Sequence, residues 1–195
     1  DKSAMRTVLF KRGTIKTGMY VYFENRYWLV DGYPGNNGIF EKATMVLCQY
    51  KLRWQNAAGE IIERWCNETS ASKYGVGEDR NNVILLADNT FLLKLPNDAE
   101  TLELDDKRVF IDKHKTNPTK VFRITKSNDV LYDFGEEHGG IFSFIADKTE
   151  FNPTTDNQEL RVCDYKDIHK TTTSINEMVV SIIGKERLQV GYPRT

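Results

Sequence analysis

The chain has 195 residues, 39% of them apolar and 28% charged, with 27 Lys and Arg against 28 Asp and Glu for a net charge of −1 at pH 7. That length predicts one domain or one and a fraction, with enough chain to bury a core without covalent staples. The composition excludes a disordered tail, a collagenous rod and a membrane-spanning helix, because the apolar runs fall far short of the roughly 18 residues a span needs. The balanced charge argues against a broadly basic nucleic-acid surface, though not against a local patch.

Strand signals start early. Before Arg12 a short helix is allowed. Residues 19–23 and 27–30 are β-rich runs separated by Glu24, Asn25 and Arg26, which is hairpin length. Residues 31–38 are turn chemistry and are expected to form a loop. Residues 43–54 and 60–66 then read as two strands around a five-residue hairpin loop ending at Gly59. Pairing Trp54 with Glu60 puts Cys48 opposite Cys66, as two half-buried thiols, in a register that a one-residue slip would destroy. Residues 83–87 and 91–95 flank Asp88, Asn89 and Thr90 as another hairpin. A second short helix is allowed near residues 98–104. Residues 109–111 and 121–125 flank a turn, and 130–132 and 141–145 flank the loop 134–140. Strands at this spacing, with no sustained helical period, predict an all-β fold, an antiparallel barrel or sandwich with long loops. Residues 1–168 read as the main domain. Residues 169–195 read as a polar linker and one more strand pair, which cannot stand alone in water. The chain opens on Asp1 rather than Met, so an upstream piece stays open.

Catalytic templates find little to match. Three cysteines without a C-x-x-C spacing are expected to be free thiols in a reducing compartment. Neither a nucleophile elbow nor a phosphate-binding loop motif occurs, and no paired-histidine spacing exists. His114, His138 and His169 each fall in a turn or linker, where a solvated imidazole is expected. The string Glu136, Glu137, His138 between glycines is the most site-like. Carboxylates with an imidazole could hold a divalent cation, but these are too few ligands for a closed cage, and a charged hairpin tip is the expectation. Trp28, Trp54 and Trp65 lie inside strand runs and are expected in the core. Arg6, Lys11, Arg12 and Lys16 are read as a solvated basic face. Asn67-Glu68-Thr69 matches a glycosylation triplet, a common chance occurrence. No catalytic residue, cofactor or metal site is assigned, and an all-β chain without a site constellation is expected to be a binding or assembly module.

Several segments in order carry a resemblance: Lys11-Arg12-Gly13, Tyr22, Trp28-Leu29-Val30, Lys42-Ala43, Leu52-Arg53-Trp54, residues 59–64, Lys73-Tyr74, Phe110-Ile111-Asp112, Asn117-Pro118, residues 123–126 and residues 152–160. Over residues 11–165 the chain resembles head-closure or head–tail connector proteins of tailed phages of Gram-positive bacteria. Residues 183–195 are similar to the start of an immunoglobulin-like module that follows some relatives. The resemblance implies a virion protein of the neck, made in the host cytoplasm, without catalysis or membrane contact. Its implied partners are portal or adaptor proteins, tail proteins and further copies of itself in a ring, with non-specific contact to DNA in the channel. A ring needs two different faces of one subunit to meet. The loops expected to reach neighbours or the lumen are 32–38, 70–79 and 134–140, with Gly32, Asn36, Asn37, Gly38, Lys73, Tyr74, Glu136, Glu137 and His138 as candidate contact residues. A different virion structural or decoration protein, or a tail-tip protein binding host carbohydrate, is the alternative.

Overall fold

The computed structural model describes residues 4–70, 90–128 and 130–167. The strand expected over 83–87, the loop residues Lys73 and Tyr74, His169, and the linker and strand pair expected over 169–195 lie outside the described residues. Within them the chain is all-β, in two antiparallel sheets.

Turn chemistry shapes the first sheet. β1 (Met5–Lys11), β2 (Tyr20–Phe23), β3 (Arg26–Asn36) and β4 (Phe40–Leu47) lie in the order β1-β4-β3-β2, curved as a half-barrel. Glu24 and Asn25 both take positive φ, 51° and 58°, so the expected β2–β3 hairpin closes on two residues. Both central residues of a twist-matched hairpin turn need that conformation. β1 replaces the short helix allowed before Arg12. Its side chains alternate between exposed and half-buried, and it pairs along β4 from Met5↔Val46 to Lys11↔Phe40. The loop expected over 31–38 is also corrected. β3 continues to Asn36, and three residues, Gly32, Tyr33 and Pro34, bulge opposite Ala43 between the pairs Asp31↔Thr44 and Gly35↔Lys42. A bulge tolerates the missing N–H of Pro34 and the positive φ of Gly32 without ending the strand.

The run expected as one strand over 43–54 breaks at Cys48 and Gln49. β5 (Tyr50–Gln55) then opens a second sheet with β6 (Ile61–Ser70), β7 (Thr90–Pro96), β8 (Arg108–Phe110), β9 (Val121–Asn128) and β10 (Ile141–Thr149). The order β5-β6-β7-β10-β9-β8 forms a nearly closed barrel. Tyr50, not Cys48, faces Cys66, and Trp54 faces Ile62. This register differs by two residues from the expected one, so each side chain stays on its expected face. The three cysteines are free and buried. Leu52, Trp54, Ile62, Leu93, Leu95, Ile124, Phe142 and Phe144 fill the barrel interior. Burying each such side chain contributes roughly 1.5–3 kcal/mol.

One barrel end is closed by α1 (Ala99–Leu102), where the helix near 98–104 was expected. Asp98 caps it, accepting the Thr101 amide at 2.8 Å. Its other oxygen accepts Arg64 Nε at 2.8 Å, and Arg64 Nη2 reaches Glu100 at 3.3 Å. Arg64 lies in the inward series of β6, almost fully buried. The seam between β5 and β8 is bridged by residues 150–166, which bond to both edges. Gln55 exchanges hydrogen bonds with Lys166, while Arg161 donates to the Asp112 carbonyl and Arg108 holds Asp156 at 2.7 Å. The strand expected over 130–132 is a turn instead, with Val130 80% exposed.

The half-barrel sheet packs against the outside of the barrel. Leu29, Val46, Cys48 and Ile141 meet there, with Tyr27 stacked on Trp65 at 5.2 Å and Lys94 paired to Asp31 at 2.8 Å. Trp28 and Trp54 are core residues as expected, whereas Trp65 is half-buried at this junction. Asn67 is also buried there, its amide donating to the Leu47 carbonyl at 2.7 Å, so the triplet it heads is closed to a glycan in the folded chain.

Candidate functional site

Two of the three loops expected to reach outward meet each other. Residues 134–140 form a helical turn, α2 (Gly135–His138), that is tied to the start of the first sheet. The Thr17 amide donates to the His138 carbonyl at 2.9 Å, the Thr17 hydroxyl to the Gly32 carbonyl at 2.9 Å, and Lys16 Nζ to the Glu136 carbonyl at 3.1 Å. Tyr33 lies edge-on to both Phe134 and His138, at 5.2 Å each. Gly32, Glu136, Glu137 and His138 therefore share one corner between the sheets, joined through Thr17. Lys16, read from sequence as solvated, is part of this tie, and Arg6 lies over the Trp28 ring at 5.4 Å. Asn36, Asn37 and Gly38 are elsewhere, at the far tip of the β3–β4 hairpin. There the Asn37 side chain accepts the Phe40 amide at 2.7 Å and shapes the turn.

The corner depends on Gly139. Its φ of 74° and ψ of −167° belong to a region only glycine occupies, and a Cβ there would run into the Thr17 carbonyl oxygen. We expect Gly139→Ala to cost at least about 2 kcal/mol. Gly135→Ala carries a positive-φ cost alone, about 1 kcal/mol, because its Cβ would meet open space. Denaturant unfolding of the two variants checks the difference.

The first sheet carries most of the exposed apolar surface among the described residues. Met5 and Leu9 of β1, Tyr22 and Phe23 of β2, Tyr33 of β3, and Ile39 and Phe40 at the β3–β4 turn all lie open, Ile39 at 72%. They fall along both edges and at the β3–β4 turn, on both faces of the sheet, with Tyr22 and Phe23 on opposite sides of β2. Among the described residues β1 and β2 are also the sheet's edges, with no strand paired along the outer side of either.

The barrel end opposite α1 holds a cavity of about 330 Å³. Tyr50, Phe91, Ile111 and Phe122 line it, with Glu68, Lys113, Lys120 and Lys148 around it. Sequence reasoning passed over these four charged residues. Part of the signal was present: Glu68 and Lys148 continue the inward alternation of β6 and β10 one step beyond the last apolar residue. Burial pushes the Glu68 carboxyl up, and Lys113 partly offsets this. Burial also acts on Asp112, but the amides of His114, Thr119 and Lys120 more than reverse it and hold that carboxyl below the usual range.

Among the described residues no group of three or more His, Cys, Asp and Glu is placed to hold a metal ion. Burial pushes the thiols of Cys48, Cys66 and Cys163 well above the ordinary range, which keeps them protonated and poorly nucleophilic. No helix among the described residues is long and apolar enough to cross a membrane.

The chain is an all-β module whose first sheet exposes several apolar side chains among the described residues. Residues 1–47 match the family model of the YomX N-terminal domain, a phage-derived family of the Bacillus prophage type. The match ends at the last residue of β4, so it spans the half-barrel sheet and stops before the barrel. The likeness marks the chain as phage-associated. No curated protein and no solved structure matches it.

Proposed function

We propose that the chain is a structural protein of the phage virion, placed at the neck, where copies arranged in a ring join the portal to the tail and close the DNA channel. The observation that carries this reading is the half-barrel sheet. It is the part similar to a phage-derived family, and among the described residues it leaves two different edges unpaired, with exposed apolar side chains along both. When the β1 edge of one copy meets the β2 edge of the next, the contact is head-to-tail, the geometry that closes rings. The barrel, plugged by α1 and bridged along its seam, serves as the stiff body to which the sheet is fixed. In this reading the protein has no catalytic role. It is made in the host cytoplasm and its partners are portal or adaptor proteins, tail proteins and DNA in the channel.

Antibody labelling of intact particles of the source phage tests the placement. Label at the head–tail junction is the expected result. Label on the capsid faces would make the protein a decoration protein, and label at the tail tip a host-surface binder. Particles free of label would remove it from the virion.

A further inference from the structure

We propose that the barrel end opposite α1 is an anion-binding site that takes a phosphate group, presented either by a free nucleotide or by single-stranded DNA. The proposal stands apart from the neck reading, since it rests on the barrel and not on the half-barrel sheet.

The inward series of four strands end in charge at this one place. On β8 the series Val109, Ile111 leads to Lys113, and on β9 the series Ile124, Phe122 leads back to Lys120. On β10, Phe144 and Ala146 lead to Lys148, and on β6, Cys66 leads to Glu68. Strand alternation turns Glu68 and Lys148 toward the barrel axis, while Lys113 and Lys120, just outside β8 and β9, line the same concavity, with all three lysines exposed at its rim. Three ammonium groups around one concavity repel each other. Glu68 offsets one of them, and the Asp112 carboxylate is already occupied by three backbone amides. Lys120 and Lys148 have no ion-pair partner among the described residues. With Glu68 and the ionised Asp112 set against three lysines, the collar carries one net positive charge over a cavity of about 330 Å³. That volume lies at the small end of ligand pockets and suits one nucleotide-sized ligand.

The chemistry of the lining narrows the choice. Lysine binds phosphate as a point charge, without the planar geometry that carboxylate recognition favours. The floor is aromatic: the Phe91 and Phe122 rings lie 4.9 Å apart, and the Tyr50 hydroxyl is engaged by Asp112. A base or sugar attached to the phosphate would lie on the Phe91 face, the arrangement by which single-stranded nucleic acid is held without sequence preference.

The test uses the full chain, titrated at low and at physiological salt with a deoxynucleoside monophosphate and with a short labelled oligothymidylate. Binding that weakens with salt is expected. The double variant Lys120→Gln/Lys148→Gln is expected to lose affinity by roughly tenfold or more, and Glu68→Gln to gain it. Both changes lie at the rim, and circular dichroism verifies that each variant is folded. Lys42→Gln, on the half-barrel sheet, should change nothing. Equal binding of both ligands identifies the free nucleotide as sufficient, and binding of the oligonucleotide alone identifies the strand. Failure of both to bind overturns the proposal, as does binding that survives the double variant. Binding of polyglutamate in their place would assign the collar to an acidic protein segment and overturn it too.

Discussion

Replacing Arg64 with alanine is expected to lower the unfolding free energy by about 3 kcal/mol, at the low end of what removing one partner of a buried ion pair costs. Among the described residues Arg64 is the one charged side chain in the inward series of the barrel that is almost wholly buried, and it ties β6 to α1. Its loss acts in two ways. The space left by the side chain opens a cavity beside Leu52, which faces it across the β5–β6 pair. The carboxylates of Asp98 and Glu100 also lose their partner, but they are 27% and 39% exposed and recover water. The cavity should therefore dominate. Arg64→Met, which refills much of the space without the charge, should cost only about 1 kcal/mol. Urea unfolding of both variants checks this ordering. Equal losses in the two would show that the charge pair dominates.

Asp156→Ala is expected to cost about 3–5 kcal/mol and to open the barrel seam. The Asp156 side chain is fully buried. It accepts both Arg108 terminal nitrogens, at 3.0 and 2.7 Å, and the amides of Asn152 and Asp164, at 2.8 and 3.1 Å. Alanine would break all four of these bonds, leaving Arg108 only the Asp164 carboxylate at 2.8 Å and the Glu150 carbonyl at 2.7 Å. Asp156→Asn keeps the shape but turns an NH2 toward groups that only donate, so it should cost nearly as much. Residues 150–166 bridge β5 and β8 through this carboxylate, so limited proteolysis of either variant should cut within that segment before the barrel strands. Unchanged cleavage together with unchanged stability would remove the seam from the account.

Local chemistry was legible where it is decided locally. Glu24 and Asn25 announce a two-residue turn, Asp98 announces a helix start, and the alternation of 91–95, 121–125 and 141–145 announces barrel strands. β1 was obscured because both of its faces carry apolar residues, Met5 and Leu9 on one and Val8 and Phe10 on the other, so it shows no polar side. The bulge at Gly32, Tyr33 and Pro34 has the composition of a loop, and only the facing strand makes it part of a sheet. The passage from β4 to β5 at Cys48 and Gln49 moves the chain between sheets, and such a change interrupts neither hydrophobicity nor period. Register was read correctly in face and wrongly in position, since a two-residue slip leaves the alternation intact. For the candidate site, Gly139 was visible as part of a glycine cluster, but its need comes from Thr17, far away in sequence. The Arg108–Asp156 tie is equally non-local. Of the charged collar, Glu68 and Lys148 follow from alternation along β6 and β10, while Lys113 and Lys120 sit just beyond strand ends where alternation no longer decides.

Deletion of the gene from its source phage, followed by negative-stain imaging of the particles, tests the neck assignment most directly. Heads that have lost their DNA beside separate finished tails are the predicted result. Joined, DNA-filled particles of normal infectivity would contradict it.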